Sequence, residues 1–174
     1  MRFHYLGLAA ALFSAVSFAD VSAFKLTLGK TTVDEAKATY SLNPVGYNLY
    51  SNGPMFEVSP QEVGFDGLKK FIAIFSPSGE LDVIVATLPK HQFDSIHQML
   101  AQRYSVTSAQ LPFVGNKLVK YAQDDIGISL ESPHMSFDMT LAYATNTFQQ
   151  QYDEGLARKQ QAEQAAKAEA LGAL

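Results

Sequence analysis

The chain has 174 residues, with 17 Asp and Glu against 13 Lys and Arg, a formal net charge of −4, and no cysteine. A chain of this size makes one domain that buries about two-thirds of its unfolded surface, so it needs no disulfide to fold. The acidic balance, with no Lys/Arg cluster larger than a pair, argues against nucleic acid and anionic membranes as partners. Missing thiols exclude bridges, thiolate metal ligands and a lipidated cysteine.

Arg2 precedes the apolar run LGLAAALFSAV (6–16), and small residues at Ser17 and Ala19 flank Phe18. A charged start, a short greasy segment and a small-residue cleavage site read as a signal peptide over 1–19, cut after Ala19. The run is shorter than the roughly 20 apolar residues a bilayer span needs, so no integral membrane span is expected in the mature chain. Export without cysteine fits a bacterial periplasm best, and secretion beyond it stays open.

The mature chain begins with FKLTL (24–28), where Phe24, Leu26 and Leu28 alternate with polar residues as in a short strand. Thr32 and Glu35 have capping-box spacing, and Val33, Ala36 and Tyr40 share one face of the helix that follows. Asn43-Pro44 ends it. Strands are expected at 45–51, 55–59, 68–76 and 80–88, with a Ser-Pro-Ser-Gly hairpin turn before the last. A second helix follows in HQFDSIHQMLAQRYS (91–105). Further strands read at 114–122, 126–132 and 135–145, the last with Phe137, Met139, Leu141 and Tyr143 on its core side.

Val33, Ala36 and Tyr40 match Phe93, Ile96 and Leu100 at a constant offset of 60. Two helices, each leading into a meander, predict an α+β fold. Its helices pack on one face of a mainly antiparallel sheet within a single domain over 20–146, as two tandem α-β-meander units at 24–88 and 89–145. Residues 147–174, rich in Ala and Gln, predict a C-terminal helix or tail whose brief apolar stripe is Phe148, Tyr152 and Leu156.

Reactive groups are scattered. On a helical projection of about 100° per residue, His97 lies at the edge of the Phe93–Ile96–Leu100 face, while Asp94 and His91 point towards solvent. His91 and His97 are six apart rather than the four that a shared helical zinc site favours. There is no GxSxG elbow and no phosphate loop, and Ser76, Ser78, Asp124 and Asp125 fit turns. No catalytic residue, metal ligand or cofactor is therefore assigned. The rival readings are a hydrolase or metal-dependent enzyme using His91, Asp94, His97 or His134, and a structural envelope protein.

Aromatics in turn-rich segments are the remaining signal, because they offer large contact area at small rotamer cost. Tyr47, Tyr50, Phe56 and Phe113 are the candidate binding residues.

The segment LTLGKTTVDEAKATY (26–40), followed by a meander, resembles the repeat unit of the β-lactamase-inhibitor-protein-like fold and of small outer-membrane assembly lipoproteins sharing that shape. The chain departs from both in having no cysteine, neither the lipidated one nor the inhibitor's disulfides. The resemblance implies tandem α-β units and a non-catalytic, protein-binding or inhibitor-like module, and nothing about which protein it binds; with export, another envelope protein is the expected partner. No individual residue carries over.

Overall fold

The computed structural model describes residues 20–172, so the export segment expected at 1–19 lies outside the described residues. The chain opens with a small hairpin, β1 (Ser22–Ala23) and β2 (Leu26–Thr27), and continues into helix α1 (Val33–Thr39). A meander follows: β3 (Asn43–Tyr47), β4 (Pro54–Val58), the short helix α2 (Pro60–Val63), β5 (Lys70–Phe75) and β6 (Leu81–Pro89). A single 3-10 turn over Lys90–Gln92 leads into α3 (Phe93–Arg103). A second meander comprises β7 (Ser105–Gln110), β8 (Lys117–Gln123), β9 (Ile126–Ser132) and β10 (Asp138–Thr145), and α4 (Asn146–Gly172) closes the described chain.

Eight strands form one antiparallel sheet in the order β3-β4-β5-β6-β10-β9-β8-β7. The order reads as two four-strand meanders joined through their last strands, with Ala142 opposite Val85 at the seam. The fold is thus α+β, with helices on a mainly antiparallel sheet and a C-terminal helix.

Local chemistry explains the elements. At α1, the Thr32 hydroxyl accepts from the Glu35 amide while the Glu35 carboxylate accepts from the Thr32 amide, so two orphan donors are satisfied reciprocally. Those hydrogen bonds, backbone first, hold the Glu35 carboxyl below the usual glutamate range. In α3, Phe93, Ile96 and Leu100 are buried at i, i+3, i+7 spacing. They meet Val119, Tyr121, Leu130, Met139 and Leu141 from alternating positions of the second meander. In the first half, Ala36 and Tyr40 share the core with Phe71, Phe75 and Ile84.

The opposite sheet face is covered at one place. Phe148, in the first turn of α4, packs with Ile74 and Val83. Met55, Ile72 and Val85 flank that patch, and further along the face come the smaller, half-buried Thr87, Ser129, Thr140 and Ala142.

Three details correct the sequence reading. The run at 24–28 is not a continuous strand but a hairpin whose two-residue turn is Phe24-Lys25, with φ of 50° and 60°. Such a turn normally takes Asn or Gly. Here tertiary contacts hold it: the Phe24 ring stands edge-on to Phe65 and Phe71, and the Phe24 carbonyl accepts from the Tyr40 hydroxyl at 2.8 Å. Phe137 is not core: the last strand starts at Asp138 and Phe137 projects from the loop before it. The strand β7 was not anticipated, because all six of its residues are exposed and lack an apolar alternation.

Candidate interaction surface

The strands end at two rims. At one, the β7–β8 loop (111–116) and the β9–β10 loop (133–137) leave side by side, because Lys117 and Ser132 are cross-strand partners. The Asn116 side-chain oxygen accepts from the His134 amide at 2.6 Å and ties the loops together. Lys90 fixes the second loop from below: its ammonium donates to the Pro133 carbonyl and its amide to the Phe137 carbonyl. Lys69 pairs with Asp138 at the loop's end, and the Ser136 hydroxyl accepts from the Asp138 amide.

These pinned loops present apolar side chains to solvent. Phe113 is fully exposed, Phe137 is 90% exposed and Met135 88%, with Val114 and Leu111 beside them. Met135 also holds φ of 65°, a left-handed conformation that costs a residue with a Cβ about 1–2 kcal/mol. The sheet supplies an internal control. The β9–β10 connection occupies the place in its meander that the β5–β6 connection occupies in the first. There Ser76, Pro77, Ser78 and Gly79 make the turn, with Gly79 at φ of 90° and the Ser76 and Ser78 hydroxyls bonded to each other. The fold therefore does not require Met135 and Phe137 at this position.

The four aromatics singled out from sequence part company. Tyr47 is exposed, but at the opposite rim from Phe113, beside the exposed Leu49. Tyr50 stacks on Tyr152 of α4, and Phe56 stands edge-on to Phe75 against the core. Phe113 alone of the four joins the loop cluster. Met135 and Phe137 escaped sequence reasoning because Phe137 fell in phase with Met139 and Leu141; the Pro133-His134 dipeptide was the available sign that the strand had not yet begun.

The histidines and carboxylates stay apart. His91 and Asp94 are exposed, and Asp94 lies 3.6 Å from the Lys117 ammonium. His97 shares a 2.6 Å hydrogen bond through Nδ1 with the Tyr121 hydroxyl. Burial pushes the Tyr121 phenol up to about 12, so it stays protonated at neutral pH. Among the described residues, no three His, Cys, Asp or Glu side chains are grouped to hold a metal ion. No described helix is long and apolar enough to cross a membrane.

No family model, curated protein or solved structure matches the chain.

Proposed function

We propose that this protein is an exported, non-catalytic module that binds another protein of the bacterial envelope, through the rim formed by the loops at 111–116 and 133–137. The observation that carries this reading is Phe113, Met135 and Phe137, nearly bare on two adjacent loops tied to each other through Asn116 and His134, the second also held by Lys90. Exposed apolar residues are common singly. Three large ones on one rim, two of them on a loop held by hydrogen bonds, supply buried area at a reduced loop-ordering cost on binding. The signal-like N-terminus supports export, and the absence of cysteine agrees with it.

Affinity capture from a periplasmic extract tests the reading, comparing the natural chain with a Phe113→Ser/Met135→Ser/Phe137→Ser variant of equal thermal stability. The variant is expected to lose a partner that the natural chain and a Tyr47→Ala chain both retain. Identical capture profiles for all three reject this rim.

A further inference from the structure

A second site lies away from that rim. The β1–β2 hairpin, α2 and α3 line a half-open cavity of about 350 Å³ over the sheet, within the range of small-molecule sites, about 300–1,000 Å³. Its walls include Phe24, Val63, Phe65, Ile96, Leu100 and Leu141. A larger hollow, about 580 Å³, runs along α4, but its walls come from that helix alone, so it encloses nothing.

What distinguishes the first cavity is its polar inventory. Tyr104 and Tyr143 line it edge-on to each other, ring centroids 6.3 Å apart, and each is 6% exposed. Neither hydroxyl has a hydrogen-bond partner among the described residues, whereas the third phenol in the wall, Tyr40, donates to the Phe24 carbonyl. Both hydroxyls are therefore free to donate to a ligand atom or water in the cavity. At the mouth stand two cations, Lys25 and Arg103, the latter with its guanidinium 5.5 Å from the Tyr104 ring centroid. Neither has a carboxylate partner among the described residues, although the chain is acidic overall. Glu62 of α2 acts on Tyr40 and is engaged by the Ser41 amide.

Burial raises both phenols, that of Tyr143 further, so both hydroxyls keep their protons at neutral pH and act as donors. The Phe24-Lys25 turn adds a second sign. Two consecutive left-handed residues with side chains are costly, and they set the Phe24 ring in the cavity wall and Lys25 at its edge.

We infer that this cavity binds a small amphiphilic carboxylic acid of medium chain length, its apolar tail among Phe24, Ile96, Leu100 and Leu141 and its carboxylate between Arg103, Lys25 and the two open phenol hydroxyls. This site is independent of the loop rim: its ligand is a small molecule and its residues are different ones.

Decanoate below its micelle concentration is the probe, titrated into the full chain labelled at its methionine methyls and followed by NMR. Met99 lies at the cavity edge and Met135 on the loop rim, so the two signals separate the sites. The expected result is a saturable shift of Met99 with Met135 unmoved. Decanol should bind about tenfold more weakly, since it lacks the charge that meets Arg103. Calorimetry on Tyr104→Phe/Tyr143→Phe should show decanoate affinity reduced about fivefold or more, at one lost hydrogen bond or more. Arg103→Gln should bring decanoate down to the level of decanol. A non-saturating response, a shift at Met135 without Met99, or equal affinity for decanoate and decanol would overturn the inference. The Met99 and decanol readouts need no substitution, so they decide the matter even where a variant fails to fold.

Discussion

Tyr50 stands edge-on to Tyr152, their ring centroids 4.7 Å apart, in a notch that exists because residue 155 is glycine. A Cβ at Gly155 would lie 2.3 Å from Tyr50 Cδ1. Gly155 costs the helix about 1 kcal/mol relative to alanine, and an edge-on aromatic pair returns about 0.5–1.5 kcal/mol beyond its buried area. Gly155→Ala should therefore keep α4 helical while expelling Tyr50. The check is a ring-to-ring NOE between Tyr50 and Tyr152, present in the natural chain and absent in the variant. Tyr50→Ala should speed amide exchange over the first turns of α4, and an unchanged pattern would show that Phe148 alone holds the helix.

Asp82 is buried in β6, where its carboxylate accepts from the Thr145 hydroxyl at 3.0 Å, and that hydroxyl in turn accepts from the Phe148 amide at 3.2 Å. Burial raises the Asp82 carboxyl above its ordinary range; the Thr145 bond pulls it back and the Glu80 charge pushes it up again. A carboxyl whose folded pKa exceeds its unfolded one contributes stability that is fully present below the unfolded value. That contribution is lost as pH rises through the folded value. At neutral pH the ionised Asp82 is thus a burden. Asp82→Asn keeps an acceptor for Thr145 and should raise Tm by a few degrees near pH 7. The gain should shrink as the pH falls through the raised folded value and be gone below the unfolded value, about 4. Thermal scans across that interval decide it: a lower Tm at neutral pH would mean that the charged hydrogen bond outweighs the desolvation.

Ser132 is fully buried at the end of β9, and its hydroxyl has no hydrogen-bond partner among the described residues. An unmet buried hydroxyl costs about 1–3 kcal/mol, more than the small void left by removing one oxygen. Ser132→Ala should stabilise the fold by about 1 kcal/mol, read as a higher denaturant midpoint at constant slope. A lower midpoint would show that the hydroxyl is satisfied.

The Tyr121 phenol, pushed up to about 12 by burial, and that of Tyr143, raised further, should ionise well above the ordinary tyrosine value, about 10. Their raised folded values favour the neutral forms. The associated stability is present below the unfolded tyrosine value, about 10, and is lost as pH climbs towards the folded ones. Absorbance at 295 nm should rise in two steps, the second at higher pH and together with unfolding. Tyr121→Phe should shrink the second step and cost about 1 kcal/mol, since His97 Nδ1 then loses its partner.

Sequence periodicity was sufficient where a residue's neighbours lie on its own element. The buried triplet Phe93, Ile96 and Leu100, the Thr32–Glu35 box, the boundary position of His97 and the limits of β9 all follow from local spacing. It failed where the partner is distant. Nothing near Phe24 announces a left-handed turn, since what holds it is Tyr40, Phe65 and Phe71. Tyr50 reads as an exposed loop aromatic because its cover arrives about a hundred residues later, at Tyr152. An edge strand such as β7 carries no apolar stripe, having no second layer to face. The cavity belongs to no single segment, and no local pattern could draw it.

The mirrored strand order bears on how the chain reaches this shape. Of the seven pairings in the sheet, six join strands that are successive in the chain, and β6 with β10 is the exception. Zipping up can proceed by short-range hairpin closure, at small entropic expense, in either stretch without waiting for the other. One encounter across the intervening segment then remains, and it should set the pace of the last kinetic phase.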